Sequence, residues 1–181
     1  MPKLQGERKH LSDFVDVVNE PFETNSSTPL IDLSIIPSNS LVISELNDSD
    51  KMETNLRKLK TGDFLFGSIR PYLKKSIVSP IDGATTGTVI QFRPKTNKFN
   101  NFLVAILTSD SFFNFAINNS TGTKMPVVKA KDLMNYEIIY NEDFVKEFES
   151  NNDYYQLIIQ LLKENIALSK YKKFLLSYLF K

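Results

Sequence analysis

Few side chains in this 181-residue sequence could make or break a bond, and they do not converge. There is no cysteine, which removes a thiolate nucleophile, a thiolate metal site and a disulfide framework. The single histidine, His10, sits beside Lys9 in a polar segment without the partners that a Ser/His/Asp triad or a histidine metal cluster needs, and it reads as an exposed or capping residue. Asp48 and Asp50 are the nearest approach to paired carboxylates. They fall short of the oxygen ligands a hard cation takes and read better as a helix cap, so no metal site is expected. Gly83, Gly87 and Gly122 belong to no GxxxxGK[ST] or strand-GxGxxG-helix pattern. What remains is cations and hydroxyls at strand ends. In Lys60–Lys75 the turn Thr61-Gly62-Asp63 precedes an apolar run, Phe64–Phe66, that reads as a buried strand. Gly67-Ser68 then bends the chain toward Arg70, Tyr72, Lys74 and Lys75. A rigid strand that ends by aiming cations outward suits an anionic partner better than catalysis; the plain alternative is a solvated loop. A second polar loop, Ser120–Pro126, offers Thr121, Thr123 and Lys124.

The charge pattern supports the same emphasis. The net charge is +1, yet residues 1–50 hold three Lys/Arg against nine Asp/Glu, and residues 51–100 hold ten against three. A basic middle inside a neutral chain can supply the footprint that phosphate binding requires. At 41% hydrophobic and 24% charged, the composition is that of a globular protein with one core. The polar start, Met1–Arg8, does not read as a signal peptide, and no apolar run approaches the roughly 20 residues of a membrane span. A cytoplasmic location is expected.

The elements that must position these residues follow from pattern. Leu11–Val18 reads as a strand or short helix, and Leu30–Val42 as two strands around Pro37–Ser40 or as a strand and a turn. Asn47–Asp50 should cap a short basic helix or turn over Met52–Lys60, with Leu56 and Leu59 inward. Ser76–Val78 is a strand, Pro80–Gly87 loop, and Thr88–Pro94 an alternating strand ended by proline. Helical spacing then appears over Asn100–Ile117, with Ser109-Asp110 between two short helices. Val127-Val128 and Tyr136–Tyr140 are strands, the latter approached through Lys131-Asp132-Leu133. The fold class is α+β: a curved, mostly antiparallel sheet domain with short helices over residues 1–140, then a helical region over residues 141–181. Within the latter, Tyr154–Phe180 forms a long amphipathic helix. Tyr154, Leu161, Leu168 and Leu175 recur every seven residues, and Leu157, Ile158, Leu162, Ile166, Leu176 and Leu179 widen the stripe. Such a helix, about 40 Å long at 1.5 Å per residue, exceeds what one small domain covers, so its apolar face needs a partner.

Three stretches in this order resemble the DNA-specificity subunits of type I restriction–modification systems. They are Gly62-Asp63-Phe64-Leu65-Phe66-Gly67-Ser68-Ile69-Arg70-Pro71; the run from Phe102 through Ser109–Phe113 and Thr121-Gly122-Thr123-Lys124-Met125-Pro126-Val127 to Lys131-Asp132-Leu133; and the helix closing Leu175-Leu176-Ser177-Tyr178-Leu179-Phe180. The resemblance covers most of the chain from Leu56 onward. It departs at Asn141–Phe148, where the family carries a proline-containing segment and a Glu-Gln pair, and in length, since complete members hold two recognition domains and two spacer helices.

The resemblance implies a target-recognition domain over residues 1–140 and a spacer or dimerisation region over 141–181. The domain would bind double-stranded DNA through Ser68, Arg70, Tyr72, Lys74, Lys75, Thr121, Thr123 and Lys124. The helix would pair antiparallel with a second copy or another specificity half through Tyr154, Leu157, Ile158, Leu161, Leu162, Leu168, Leu175 and Leu179. The chain would be a non-catalytic subunit that positions a methyltransferase subunit, and a restriction/translocase subunit, on a bipartite site. It would hold no cofactor; S-adenosylmethionine, ATP and Mg would belong to the partner subunits, and the chain lacks an Asn-Pro-Pro-Tyr-type methyltransferase tetrapeptide. Two alternatives stay open: an orphan specificity fragment acting through its helix alone, and a small hydrolase or nuclease.

Overall fold

A computed structural model describes residues 6–23, 27–51, 55–151 and 153–180. Met1–Gln5, the loop residues Asn25 and Ser26, and the expected helix start at Met52 lie outside them. In chain order come β1 (Glu7–His10), a 3-10 turn (Leu11–Asp13), β2 (Val15–Val17), β3 (Pro21–Phe22), β4 (Pro29–Ile31), β5 (Asn47–Asp48) and a 3-10 turn (Ser49–Lys51). Then follow β6 (Leu56–Leu59), β7 (Phe64–Gly67), a 3-10 turn (Pro71–Leu73), β8 (Ser76–Val78), β9 (Gly83–Thr86), β10 (Val89–Pro94) and a last 3-10 turn (Asn97–Phe99). The remainder is α1 (Asn100–Leu107), α2 (Asp110–Asn118), α3 (Ala130–Leu133), β11 (Glu137–Tyr140), α4 (Glu142–Asn151) and α5 (Tyr154–Leu179). The strands form three sheets, ordered β1-β11, β2-β10-β7-β8 and β3-β6-β9-β4-β5. Among the named strands only β4 and β9 pair in parallel. The class is α+β, mostly antiparallel, with short helices and one long C-terminal helix.

Strand alternation divides the interior into two cores. Phe64 and Phe66 on β7, Val78 on β8, and Ile90 and Phe92 on β10 face the helices. There Phe66 lies edge-on to Phe112 and stacks with Phe113, at ring separations of 5.4 and 5.6 Å. The intervening Leu65, Ile77 and Val89 face the other way, onto Ile31, Ile36, Ile43 and Leu59. The two short helices form as their spacing predicts, and Ser109 caps α2 by accepting from the Phe112 N–H.

Tertiary pairing overrides local pattern in several places. Leu56–Leu59, expected in a helix or turn, is β6, held between β3 and β9. Ala84–Thr86, expected as loop, is most of β9; Thr85 is fully buried and its hydroxyl donates to the Ile31 carbonyl at 2.7 Å. In Leu30–Val42, read as two strands or as a strand and a turn, one strand forms, and Leu41–Ile43 runs outside any strand. Lys131-Asp132-Leu133 lies in α3, and Val127 makes only isolated bridges.

One buried carboxylate organises the centre. Asp63 is 1% exposed. It accepts from Arg93 Nε and Nη2 at 2.7 and 2.8 Å, from Gln91 Nε2 at 2.7 Å and from the Lys60 N–H at 2.8 Å. Its hydrogen bonds to Asp63 raise the Arg93 pKa above its ordinary value. Gly62, at φ 92°, turns its carbonyl to the Tyr155 hydroxyl, which donates to it at 2.8 Å. A Cβ at position 62 would lie 2.1 Å from that hydroxyl, so the glycine is required twice over. The Tyr155 N–H in turn donates to Asn101 Oδ1 at 2.8 Å, and Glu149 accepts from the N–H groups of Asn101 and Phe102 at 3.2 and 2.7 Å. The start of α5 is thereby locked to the strand that leads to Arg70.

The long helix carries two apolar stripes. Tyr155 and Ile159 enter the helix-side core, Leu162 and Ile166 enter the other, and Ile158 packs against both. This stripe seals the domain, so Leu162 and Ile158, expected at a helix–helix interface, pack within their own chain. The seven-residue series lies elsewhere: Leu161 is 53% and Leu168 67% exposed. Asn165, between the two stripes, donates to the Ile43 carbonyl at 2.7 Å.

Two outcomes follow in urea unfolding. Leu162→Ala should cost about 2–5 kcal/mol, whereas Leu168→Ala should change the stability of the single chain by less than about 0.5 kcal/mol. Equal costs would contradict the division of α5 into two faces. Burial pushes the Tyr155 pKa up from 10.0 to about 12. Its share of stability is therefore complete below pH 10 and lost as pH rises through about 12. Tyr155→Phe should lose about 1 kcal/mol at neutral pH, with its hydrogen bond to Gly62, and should show a shallower alkaline decline; parallel alkaline curves for the two proteins would refute this.

Candidate nucleic-acid interface

The two stretches that carry the cations and hydroxyls meet through their backbones. β7 stops at Gly67, where a Cβ would come within 2.6 Å of Leu33 Cδ1. Ser68 then turns inward, with its N–H and Oγ both donating to the Thr88 carbonyl at 3.0 and 2.8 Å. Ile69 bridges Val127 in antiparallel fashion, the Val128 N–H donates to the Ser68 carbonyl at 3.0 Å, and the Arg70 N–H donates to the Pro126 carbonyl at 2.7 Å. Thr121 and Val127 exchange hydrogen bonds at 3.0 and 2.9 Å across the second loop, where Gly122 has φ 106°. Segments 67–75 and 120–128 thus form one ribbon-like edge.

On that edge Arg70 and Lys74 flank a single 3-10 turn, and both lie in the left-handed region at φ 52° and 50°. Such conformations cost non-glycine residues about 1–3 kcal/mol each, and they persist where the surroundings impose them. Here the Pro126 carbonyl holds Arg70 from one side, and the Leu73 N–H donates to the Arg70 carbonyl at 2.9 Å. The Arg70 side chain is exposed and has no ion pair or side-chain hydrogen bond among the described residues.

The eight residues expected to touch DNA separate into two groups. Arg70, Tyr72, Thr121, Thr123 and Lys124 are exposed along the edge. Ser68, Lys74 and Lys75 are engaged by other groups of the chain: Ser68 is the pin just described, Lys74 Nζ pairs with Asp110 at 2.6 Å at the surface, and Lys75 Nζ donates to the Leu33 carbonyl at 2.7 Å. Lys129 and Lys131, not among the expected DNA contacts, are exposed just past Val128. The cue available was their spacing after Lys124.

Part of the basic middle of the chain is paired within the chain. Lys58 pairs with Glu20 at 3.2 Å, Lys95 with Asp16 at 3.8 Å, and Arg93 with Asp63 at 2.7 Å. His10 is exposed at the head of a 3-10 turn, its N–H donating to Asp13 at 2.8 Å. Asp48 accepts from Ser27 and, at 3.2 Å, from the Asp50 N–H. Among the described residues no group of three or more His, Cys, Asp or Glu is placed to hold a metal ion. The helix residues Tyr154, Leu157, Leu161, Leu168, Leu175 and Leu179 are all exposed.

No family model and no curated protein matches the sequence. Solved structures do match the fold. A chain from a type I R-M system, solved for its complex assembly and conformational transition, superposes with a TM-score of 0.68 at 20% identity, over 91% of this chain and 45% of that one. The HsdS subunit from Thermoanaerobacter tengcongensis gives 0.61 at 18% identity, over 96% and 48%. The type I restriction–modification S subunit from M. genitalium gives 0.51 at 10% identity, over 83% and 38%. The chain spans less than half the length of these proteins. It therefore has the fold of type I restriction–modification S subunits, over a stretch somewhat under half their length.

Proposed function

We propose that this chain recognises double-stranded DNA for a type I restriction–modification system, as a non-catalytic subunit that positions a methyltransferase subunit and a restriction/translocase subunit on a bipartite site. The observation that carries this reading is the edge itself. Two loops distant in sequence are joined by backbone hydrogen bonds, and together they expose Arg70, Tyr72, Thr121, Thr123 and Lys124. Cations on a stiff edge hold phosphates in register, while the hydroxyls beside them can reach phosphate or base edges. S-adenosylmethionine, ATP and Mg belong to the partners. Among the described residues no helix is long and apolar enough to cross a membrane, and the reading places the chain in the cytoplasm with DNA.

The exposed stripe of α5 supports the pairing part of the proposal. After Ile166 the helix continues for about 20 Å beyond the core residues. It presents Leu168, Tyr171, Phe174, Leu175 and Leu179 to solvent. A second copy or another specificity half, packed antiparallel on this face, would set two recognition domains at a fixed separation. The target would then be an inverted repeat with a central gap.

Mobility shift on a random-sequence duplex pool at several salt concentrations, with and without the methyltransferase subunit, tests the edge. The Arg70→Ala, Lys124→Ala pair should lower the slope of log affinity against log salt by about two, one for each phosphate no longer neutralised. An unchanged slope would move the interface elsewhere. Absence of wild-type binding under both conditions would favour a chain acting through its helix alone. For the pairing, sedimentation at roughly tens of micromolar should show a dimer that Leu168→Lys with Leu175→Lys returns to monomer; a monomeric wild-type chain would remove it.

A further inference from the structure

The exposed leucines of α5 repeat about one point. Leu157, Leu161, Leu168, Leu175 and Leu179 fall within about 40° of arc at 3.6 residues per turn, roughly 150° around the helix from Tyr155, Ile159, Leu162 and Ile166. Leu168 is their midpoint: Leu161 and Leu175 lie seven residues to either side of it, and Leu157 and Leu179 eleven. Glu164 and Lys172, both exposed, lie four to either side. Such a series is complementary to itself when reversed. Two copies set antiparallel about Leu168 place Leu157 against Leu179 and Leu161 against Leu175, each pair formed twice, with Glu164 of one level with Lys172 of the other. A parallel pair would set Glu164 against Glu164 and Lys172 against Lys172. The symmetry fits a second copy of this chain better than an unrelated helix.

The flanks of the same helix change character along it. On one flank the earlier turns present Gln156, Gln160, Lys163 and Ala167; on the other, Ile158 and Asn165 lie against their own domain. From Phe174 to Phe180 both flanks are apolar. Phe174 and Tyr178 project on one and Leu176 and Phe180 on the other, and all four are exposed. A helix that is apolar all round needs cover on every side, and one partner helix covers only one. In the arrangement about Leu168, residues 174–180 of one copy run level with residues 156–162 of the other. That is the stretch which the other copy's domain holds through Ile159 and Leu162. The flanks therefore turn apolar over the turns that come alongside the other domain.

Resting on the pairing reading above, we infer that a second copy of this chain covers α5 in a two-fold antiparallel arrangement centred on Leu168, and that Phe174, Leu176, Tyr178 and Phe180 of each copy pack against the domain of the other. Three apolar contacts then close the pair: the helix seam at its centre and a helix-to-domain contact at each end.

The chain has no cysteine, so single introduced cysteines report the arrangement directly. In the chain alone, without the methyltransferase subunit, Leu168→Cys should cross-link to itself under a mild oxidant. Leu175→Cys should not, because its two copies stand about 21 Å apart along the helix axis, but it should cross-link when mixed with Leu161→Cys. A dimer in which Leu168→Cys fails to cross-link, or in which Leu175→Cys alone links equally well, has another register or a parallel arrangement and overturns the inference. The Leu176→Ser, Phe180→Ser pair leaves the seam intact. It should weaken dimerisation in sedimentation by roughly 10- to 100-fold while the urea midpoint of the monomer stays unchanged. An unweakened dimer would confine the contact to the seam and overturn the helix-to-domain packing. A wild-type chain that stays monomeric at roughly tens of micromolar would overturn the pairing reading itself, before register enters.

Discussion

The buried carboxylate of Asp63 is the constraint on which the rest of the molecule depends. A lone charge at 1% exposure is untenable, and Asp63 is stabilised by a bidentate arginine, a glutamine and a backbone N–H at once. Those partners come from β10 and from the end of β6, so one side chain fixes both relative to the start of β7. Gly62, immediately before it, fixes the long helix through Tyr155. The Gly-Asp step therefore joins the strand that leads to the exposed edge and the helix that leaves the domain. Loosening it would blur the edge and the direction of the helix together.

The helix resolves a conflict between covering a core and reaching beyond it. A single stripe could not do both, because the residues that seal the sheet are removed from any second partner. The chain instead uses Tyr155, Ile159, Leu162 and Ile166 for its own interior, and leaves the series through Leu161, Leu168 and Leu175 on another face. Asn165 marks the changeover, its amide bonded to the Ile43 carbonyl rather than set into a seam. After Ile166 the helix carries no fully buried side chain.

Much of this was legible in the residues, and the failures have identifiable causes. β7, β10, the capped helix pair and α5 declared themselves by period, by proline or by a serine cap. β6 did not: Leu56 and Leu59, three apart, imitate a helix, and only pairing with β9 decides otherwise. β9 itself, Gly-Ala-Thr-Thr, has too little apolar character to announce a strand buried on both sides. For the site, Arg70 and the Thr121–Lys124 loop stood out by type, and the backbone bonds between them were invisible. Lys74 and Lys75 looked equivalent to Arg70 in sequence, but Asp110 and the Leu33 carbonyl engage them, and no local pattern reveals a partner 36 or 42 residues away. The local charge excess is reduced in the same way, since Glu20, Asp16 and Asp110, outside the basic stretch, pair with part of it.

The bonds that join the two loops all run from backbone to backbone. The fold consequently places few demands on which side chains project from positions 70, 121, 123 and 124. What it does restrict is backbone angle, and at Arg70 that restriction runs against the residue present: a left-handed position would be relaxed by glycine or asparagine. Such an edge can exchange its chemistry without rebuilding its support. At this one position, drift toward the more stable residue would remove the exposed cation while leaving the domain folded, so the edge can lose its charge without any loss of stability.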